Sequence, residues 1–171
     1  AEPAPGLPPG LIDLPPEDLR ALIHAGDVSA VSAALAGLSS EGIEAQKVIR
    51  NVFAMFGERH PKTVEFTGKW LAAEPQSVQA MAARGWALNA EGWAMRGSGL
   101  GRETSAPAMA ALHKAHTEAL ALMQAALAID PGFLPASDGV LAMAYTTGQP
   151  ELIEPEVARI MGLHPNRGTL S

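Results

Sequence analysis

Apolar residues recur every three or four positions along most of the chain, the spacing of an amphipathic helix. Ile43, Val48, Val52, Met55 and Phe56 follow it across "EGIEAQKVIRNVFAMFGER". Val64, Phe66, Trp70 and Leu71 follow it after Pro61, up to Pro75. Helix punctuation agrees with the periodicity. Pro15 and Pro16 open a first helix, with Glu17 and Asp18 at its positive end, and Gly26 closes it. Asp27 caps a second helix, "VSAVSAALAGL", and Ser39 or Ser40 is expected to cap the third. Pro61 opens the fourth, and a fifth runs from about Ser77 to Met95. After "RGSGLGRETSAP" a helix of about 34 Å is predicted from Pro107 to Ile129, at about 1.5 Å per residue. Two more are predicted, Leu134–Thr147 and Pro150–Leu163. No stretch alternates with the period of a strand, so the predicted class is all-α.

The first 20 residues break the pattern with six prolines. Proline fixes φ and lacks an N–H, so residues 1–14 are expected to form an extended arm. Leu11, Ile12 and Leu14 supply its apolar contacts, to the body or to a neighbour. Residues 15–171 then form a single helical-repeat domain.

Composition narrows the function classes. Hydrophobic residues make up 47% of the 171, aromatics only 5%. Abundant alanine favours helix. A net charge of −6 argues against nucleic acid as a partner. No apolar run approaches the ~20 residues of a membrane-crossing helix. The chain has no cysteine, which excludes disulfides, thiol catalysis and thiolate metal sites. The Ala-Glu-Pro-Ala start suits a mature exported protein, periplasmic or otherwise, with the cytoplasm as the alternative.

Pro131 and Pro165 each follow a predicted helix and stand 34 residues apart. Paired helices with that period and a closing proline resemble the tetratricopeptide repeat. Aligned on Pro131, the repeat's small positions fall on Ala119 and Ala126, and Met123 takes the aromatic position between them. Val140, Tyr145 and Gly148 match the next repeat, whereas Ile153 and Ile160 stand where it wants small residues. That final helix is therefore expected to be a cap. Gly85 takes a small position and Gly92 a turn position of the preceding repeat. Gly92 and Gly148 are 56 residues apart, 22 more than one repeat, which implies an insertion around "WAMRGSGLGRETSAPAMAALHKAHT". The resemblance covers residues 62–165 and implies antiparallel helix pairs stacked as a short array. Trp93, Arg96 and Gly97 also resemble a group of bacterial repeat-like domains with Trp-x-x-Arg-Gly before a long helix. That likeness implies a fold and no chemistry.

Candidate chemistry is sparse. His113 and His116, three apart with Glu118 nearby, are the metal candidates, but zinc needs three or four ligands. A pair of part-exposed histidines on an amphipathic helix is the plainer reading, and no cofactor is expected. Trp86 and Trp93 share a helix face with Asn89 and Ala90. Either they fill the core, or they form an aromatic shelf for a peptide with Arg96 stacked on Trp93. Gly97 to Gly101 lack the strand and the Gly-Lys-Ser/Thr of a phosphate loop, and read as a helix-connecting tip. Residues 115–158 hold six carboxylates and no lysine or arginine, a face for a basic partner or simply a solvated one.

The leading expectation is therefore a non-catalytic interaction module or scaffold, binding a protein or peptide through Trp86, Asn89, Trp93 and Arg96. The alternative is an accessory subunit of a larger, membrane-associated or soluble complex, anchored by Leu11, Ile12 and Leu14 of the arm. A metal protein or enzyme using His113 and His116 ranks third.

Overall fold

A computed structural model describes residues 14–97 and 104–165. These residues form eight α-helices and no strand: α1 (Pro16–Ala25), α2 (Val28–Leu35), α3 (Ile43–Phe56), α4 (Pro61–Ala73), α5 (Val78–Arg96), α6 (Ala106–Ile129), α7 (Leu134–Met143) and α8 (Ile153–Leu163). A 3-10 turn over Pro150–Leu152 leads into α8. No helix among the described residues is long and apolar enough to cross a membrane.

Local chemistry sets most boundaries. Pro16 opens α1, and Gly26, at φ +74°, closes it by returning its N–H to the last turn. Asp27, Ser77 and Ser105 cap α2, α5 and α6 by accepting the N–H three residues on. His60 caps α4 through Nδ1, which accepts the Lys62 N–H at 3.1 Å. The expected serine cap of α3 is not formed. Gly42, at φ +88°, precedes α3 with no side-chain cap. Ser39 Oγ accepts from Glu41 N, and Ser40 Oγ accepts from Leu134 N, so the serines bind their own loop and the start of α7. α7 also ends earlier than expected, at Met143. The Thr147 hydroxyl donates back to the carbonyls of Met143 and Ala144, and Gly148, at φ +72°, turns the chain.

The core has two textures. Around α3 and α4, Phe53, Phe56, Phe66 and Trp70 are all but fully buried, with ring centroids 5.5–6.4 Å apart. Trp70 Nε1 donates to Glu74, which also accepts from Ser32 on α2. Between α5, α6 and α7 the core is instead rich in alanine and glycine, set among Leu112, Leu120, Met123 and Val140. Ala119, Ala126 and Met123 are 0% exposed. A Cβ on Gly85 would lie 3.3 Å from the Ala119 carbonyl, and one on Gly92 3.1 Å from Ala115 Cβ. As the register climbs on α5 it falls on α6, so these two helices run antiparallel and very close. Gly92 lies inside α5, not at a turn. Leu14, the first described residue, is half-buried against the main core; Leu11 and Ile12 lie outside the described residues.

Candidate functional site

Three helices converge on one open groove. α3 contributes Arg50, Phe53 and Ala54, with Gly57 just beyond its end; α5 contributes Trp86 and Asn89; α7 contributes Pro135 and Asp138. It encloses about 390 Å³. Phe53 is held in place from below by Phe133, edge to face at 5.4 Å. The half-buried Trp86 donates Nε1–H to the Pro135 carbonyl at 3.1 Å, which fixes its indole as a wall between α5 and α7. Across the rim, Arg50 Nε and Nη2 donate to the two Asp138 oxygens at 2.9 and 3.3 Å. This two-pronged bridge ties α3 to α7 with 30% and 23% of the side chains exposed. The Asn89 side-chain amide has no hydrogen-bond partner among the described residues. A second groove, about 380 Å³, lies between the start of α4 and α5, lined by Pro61, Val64, Ala90 and Ala94. Glu58 lines it and Gly57 lines the first, so the two grooves adjoin at that turn.

The four residues singled out on α5 thus separate. Trp86 and Asn89 line the three-helix groove. Trp93 and Arg96 sit further along α5, where Trp93 meets the His116 ring edge-on at 5.4 Å and Arg96 lies 5.6 Å over the indole. Trp86 thus bonds to the Pro135 carbonyl on α7, whereas Trp93 packs on His116 of α6. Gly97 ends α5 at φ +83°, and residues 98–103 of the tip lie outside the described residues.

The histidine pair also separates. His113 is exposed, whereas His116 is 0% exposed, which corrects the expectation of two part-exposed rings. The buried stripe of α6 runs through Leu112, Ala115, His116, Ala119 and Met123, and His113 falls beside it. His116 Nε2 faces the Asn89 carbonyl at 3.3 Å, and Nδ1 contacts the Thr146 hydroxyl. A carbonyl only accepts, so Nε2 carries the proton and Nδ1 accepts from Thr146. Burial pushes the His116 pKa down, against the Asn89 bond that raises it. His116 is a neutral strut joining α5, α6 and the turn after α7. No cluster of three or more metal-ligating side chains is present among the described residues.

The acidic stretch is partly spent on internal bonds: Asp138 on Arg50, and Glu156 on Arg159 and Ser137. Periodicity gave no sign of Arg50, Phe53, Pro135 and Asp138 as groove residues, because Arg50 and Asp138 are 88 positions apart. No family model, curated protein or solved structure matches the chain.

Proposed function

We propose that the chain is a non-catalytic protein-interaction module, a short tetratricopeptide-like array that takes an extended peptide or partner loop in the groove between α3, α5 and α7. The observation that carries this reading is the groove's make-up. Its walls are apolar (Phe53, Trp86, Pro135), and one side-chain amide, Asn89, has donor and acceptor without a hydrogen-bond partner among the described residues. A peptide backbone needs both: apolar surface for its side chains, and an amide to pair with its own N–H and C=O. The Arg50–Asp138 bridge holds the rim open at a fixed width. The array part of the reading draws support from Gly85, Ala119 and Ala126, small residues at the positions where paired helices come closest. The accessory-subunit alternative has less support, because Leu14 packs on the chain's own core.

The test is a peptide-display selection on the full chain, with affinities measured for the parent and for Asn89→Ala and Trp86→Ala. Selected peptides are expected to lose ~10-fold or more on Trp86→Ala, as buried aromatic anchors usually do. Asn89→Ala, which breaks no side-chain hydrogen bond among the described residues, is expected to weaken them without destabilising the chain. Selected peptides that bind both variants like the parent would place recognition elsewhere and overturn the reading.

A further inference from the structure

His24, near the end of α1, stacks on His60, the cap of α4, with ring centroids 4.1 Å apart and planes 23° apart. One helical turn earlier, Arg20 grips Glu58 with two hydrogen bonds of 3.0 and 2.7 Å. Arg20 and His24 are four apart on α1, and Glu58 and His60 two apart on the loop facing it. The four side chains therefore form one clasp, outside the apolar contacts of Leu19 and Ile23. We propose that this clasp is a proton-operated latch: acidification undocks α1 from α4 and bares the Leu19–Ile23 stripe.

The geometry makes the neutral and charged states unequal. Two neutral imidazoles stack well, but two imidazolium rings at this separation repel. His24 Nε2 is buried with no hydrogen-bond partner among the described residues, so a proton placed there finds no acceptor among them. His60 Nδ1 already accepts the Lys62 N–H, and a proton there removes the cap of α4. The neighbouring charges add to the effect. Arg20 on α1 and Lys62 on α4 are both cationic. The nearby carboxylates are engaged: Glu58 by Arg20, Glu65 by Lys69 at 3.4 Å, and Asp27 by the Ala30 N–H. Glu17 faces Arg20. Burial first, then the His60 ring, Lys62 and Arg20, lower the His24 pKa, and Glu58 opposes them least of all. Neutral His24 is thus favoured with α1 docked, and protonated His24 with α1 released.

Amide hydrogen exchange of the full chain at pH 7.5 and 5.5, corrected for intrinsic rates, tests the latch. Protection in α1 is expected to fall ~10-fold more than in α6. His24→Phe keeps a stacking ring without a titrating nitrogen and is expected to abolish this extra loss. His60→Asn keeps a capping acceptor and removes the second imidazole, and is expected to cut it to below ~3-fold. Equal losses in α1 and α6 of the parent overturn the proposal, as does a His24→Phe chain whose α1 still loosens. Should His24→Phe fail to fold, His60→Asn decides alone: an undiminished loss there overturns it.

Discussion

Met123 is the keystone of the alanine-glycine half, and Gly139→Ala tests it directly. A Cβ on Gly139 would stand 2.6 Å from Met123 Cε and 2.7 Å from both its Cγ and its Sδ. On the other side, a Cβ on Gly85 would meet the same Cε at 2.6 Å. The Met123 side chain lies in a slot with a glycine on either side, and it is fully buried. Two effects compete when Gly139 becomes alanine. Helix propensity favours alanine by ~1 kcal/mol in a helix interior. Overpacking costs ~1–3 kcal/mol, here near the top of that range because Cγ, close to the backbone, is among the atoms struck. The net expectation is a loss of ~1–2 kcal/mol, or ~2–8 °C in Tm at ~2–4 °C per kcal/mol for a chain of this size. Gly68→Ala on α4 is the control: its Cβ would meet only the Arg84 guanidinium, at 3.6 Å or more, so propensity acts alone and Tm is expected to rise. Met123→Ala empties the slot and costs ~2–5 kcal/mol by itself. Combined with Gly139→Ala it is expected to cost less than the sum, by ~1 kcal/mol or more. Thermal and urea melts of the four variants suffice. A Gly139→Ala chain at least as stable as the parent, or strictly additive doubles, would refute the keystone argument.

Ala126→Leu forces a larger side chain into a fully buried site and is expected to lower the urea midpoint by the equivalent of ~1–3 kcal/mol; an unchanged midpoint would show that α6 has slack there. Arg50→Ala removes both bonds of the α3–α7 bridge and is expected to cost ~1–2 kcal/mol in the same assay, with a smaller effect if high salt already weakens the pair. Stability is also expected to depend on pH. The His116 and His24 pKa values are lowered in the fold, so below the unfolded value of about 6.5 the unfolded chain binds more protons. Full stability is present above that value and declines as pH falls toward the lowered pKa values; urea midpoints that stay flat from pH 7.5 to 5.5 would contradict this.

Helix starts are legible where their causes lie within three residues: Pro16, Asp27, Pro61 and Ser77 act on adjacent backbone. Ser40 was misassigned because its partner, Leu134 N, is 94 residues away. α7 is shorter than the helical pattern predicts because the Thr147 hydroxyl competes for the carbonyls of the last turn. The histidines show the limit of periodicity. Spacing put His113 and His116 on one side of α6, but a helix squeezed between two neighbours buries a stripe too narrow for both. The His24–His60 stack carries no local signal at all, since each residue is unremarkable within its own helix. Most of the groove was hidden for the same reason. Trp86 and Asn89 were visible as a polar-aromatic pair on α5, whereas Arg50, Pro135 and Asp138 become groove residues only when α3 and α7 meet.

The glycine packing and the groove are mechanically linked. Asp138 precedes Gly139, and Pro135 lies one turn earlier on the same helix. Trp86 follows Gly85 on α5. The glycines that close on Met123 therefore set the distance between α5 and α7, and with it the span from the Trp86 indole to the Pro135 carbonyl and the reach of Asp138 toward Arg50. Interiors packed this tightly transmit a displacement instead of absorbing it. An alanine at Gly139 that pushes α7 off Met123 moves one wall of the groove relative to the other two. Peptides selected on the parent are thus expected to bind Gly139→Ala several-fold more weakly at a temperature where the variant is fully folded, and Gly68→Ala as tightly as the parent. Undiminished binding by a destabilised Gly139→Ala chain would mean that the strain is relieved inside Met123, and that the groove's width is set by the Arg50–Asp138 bridge alone.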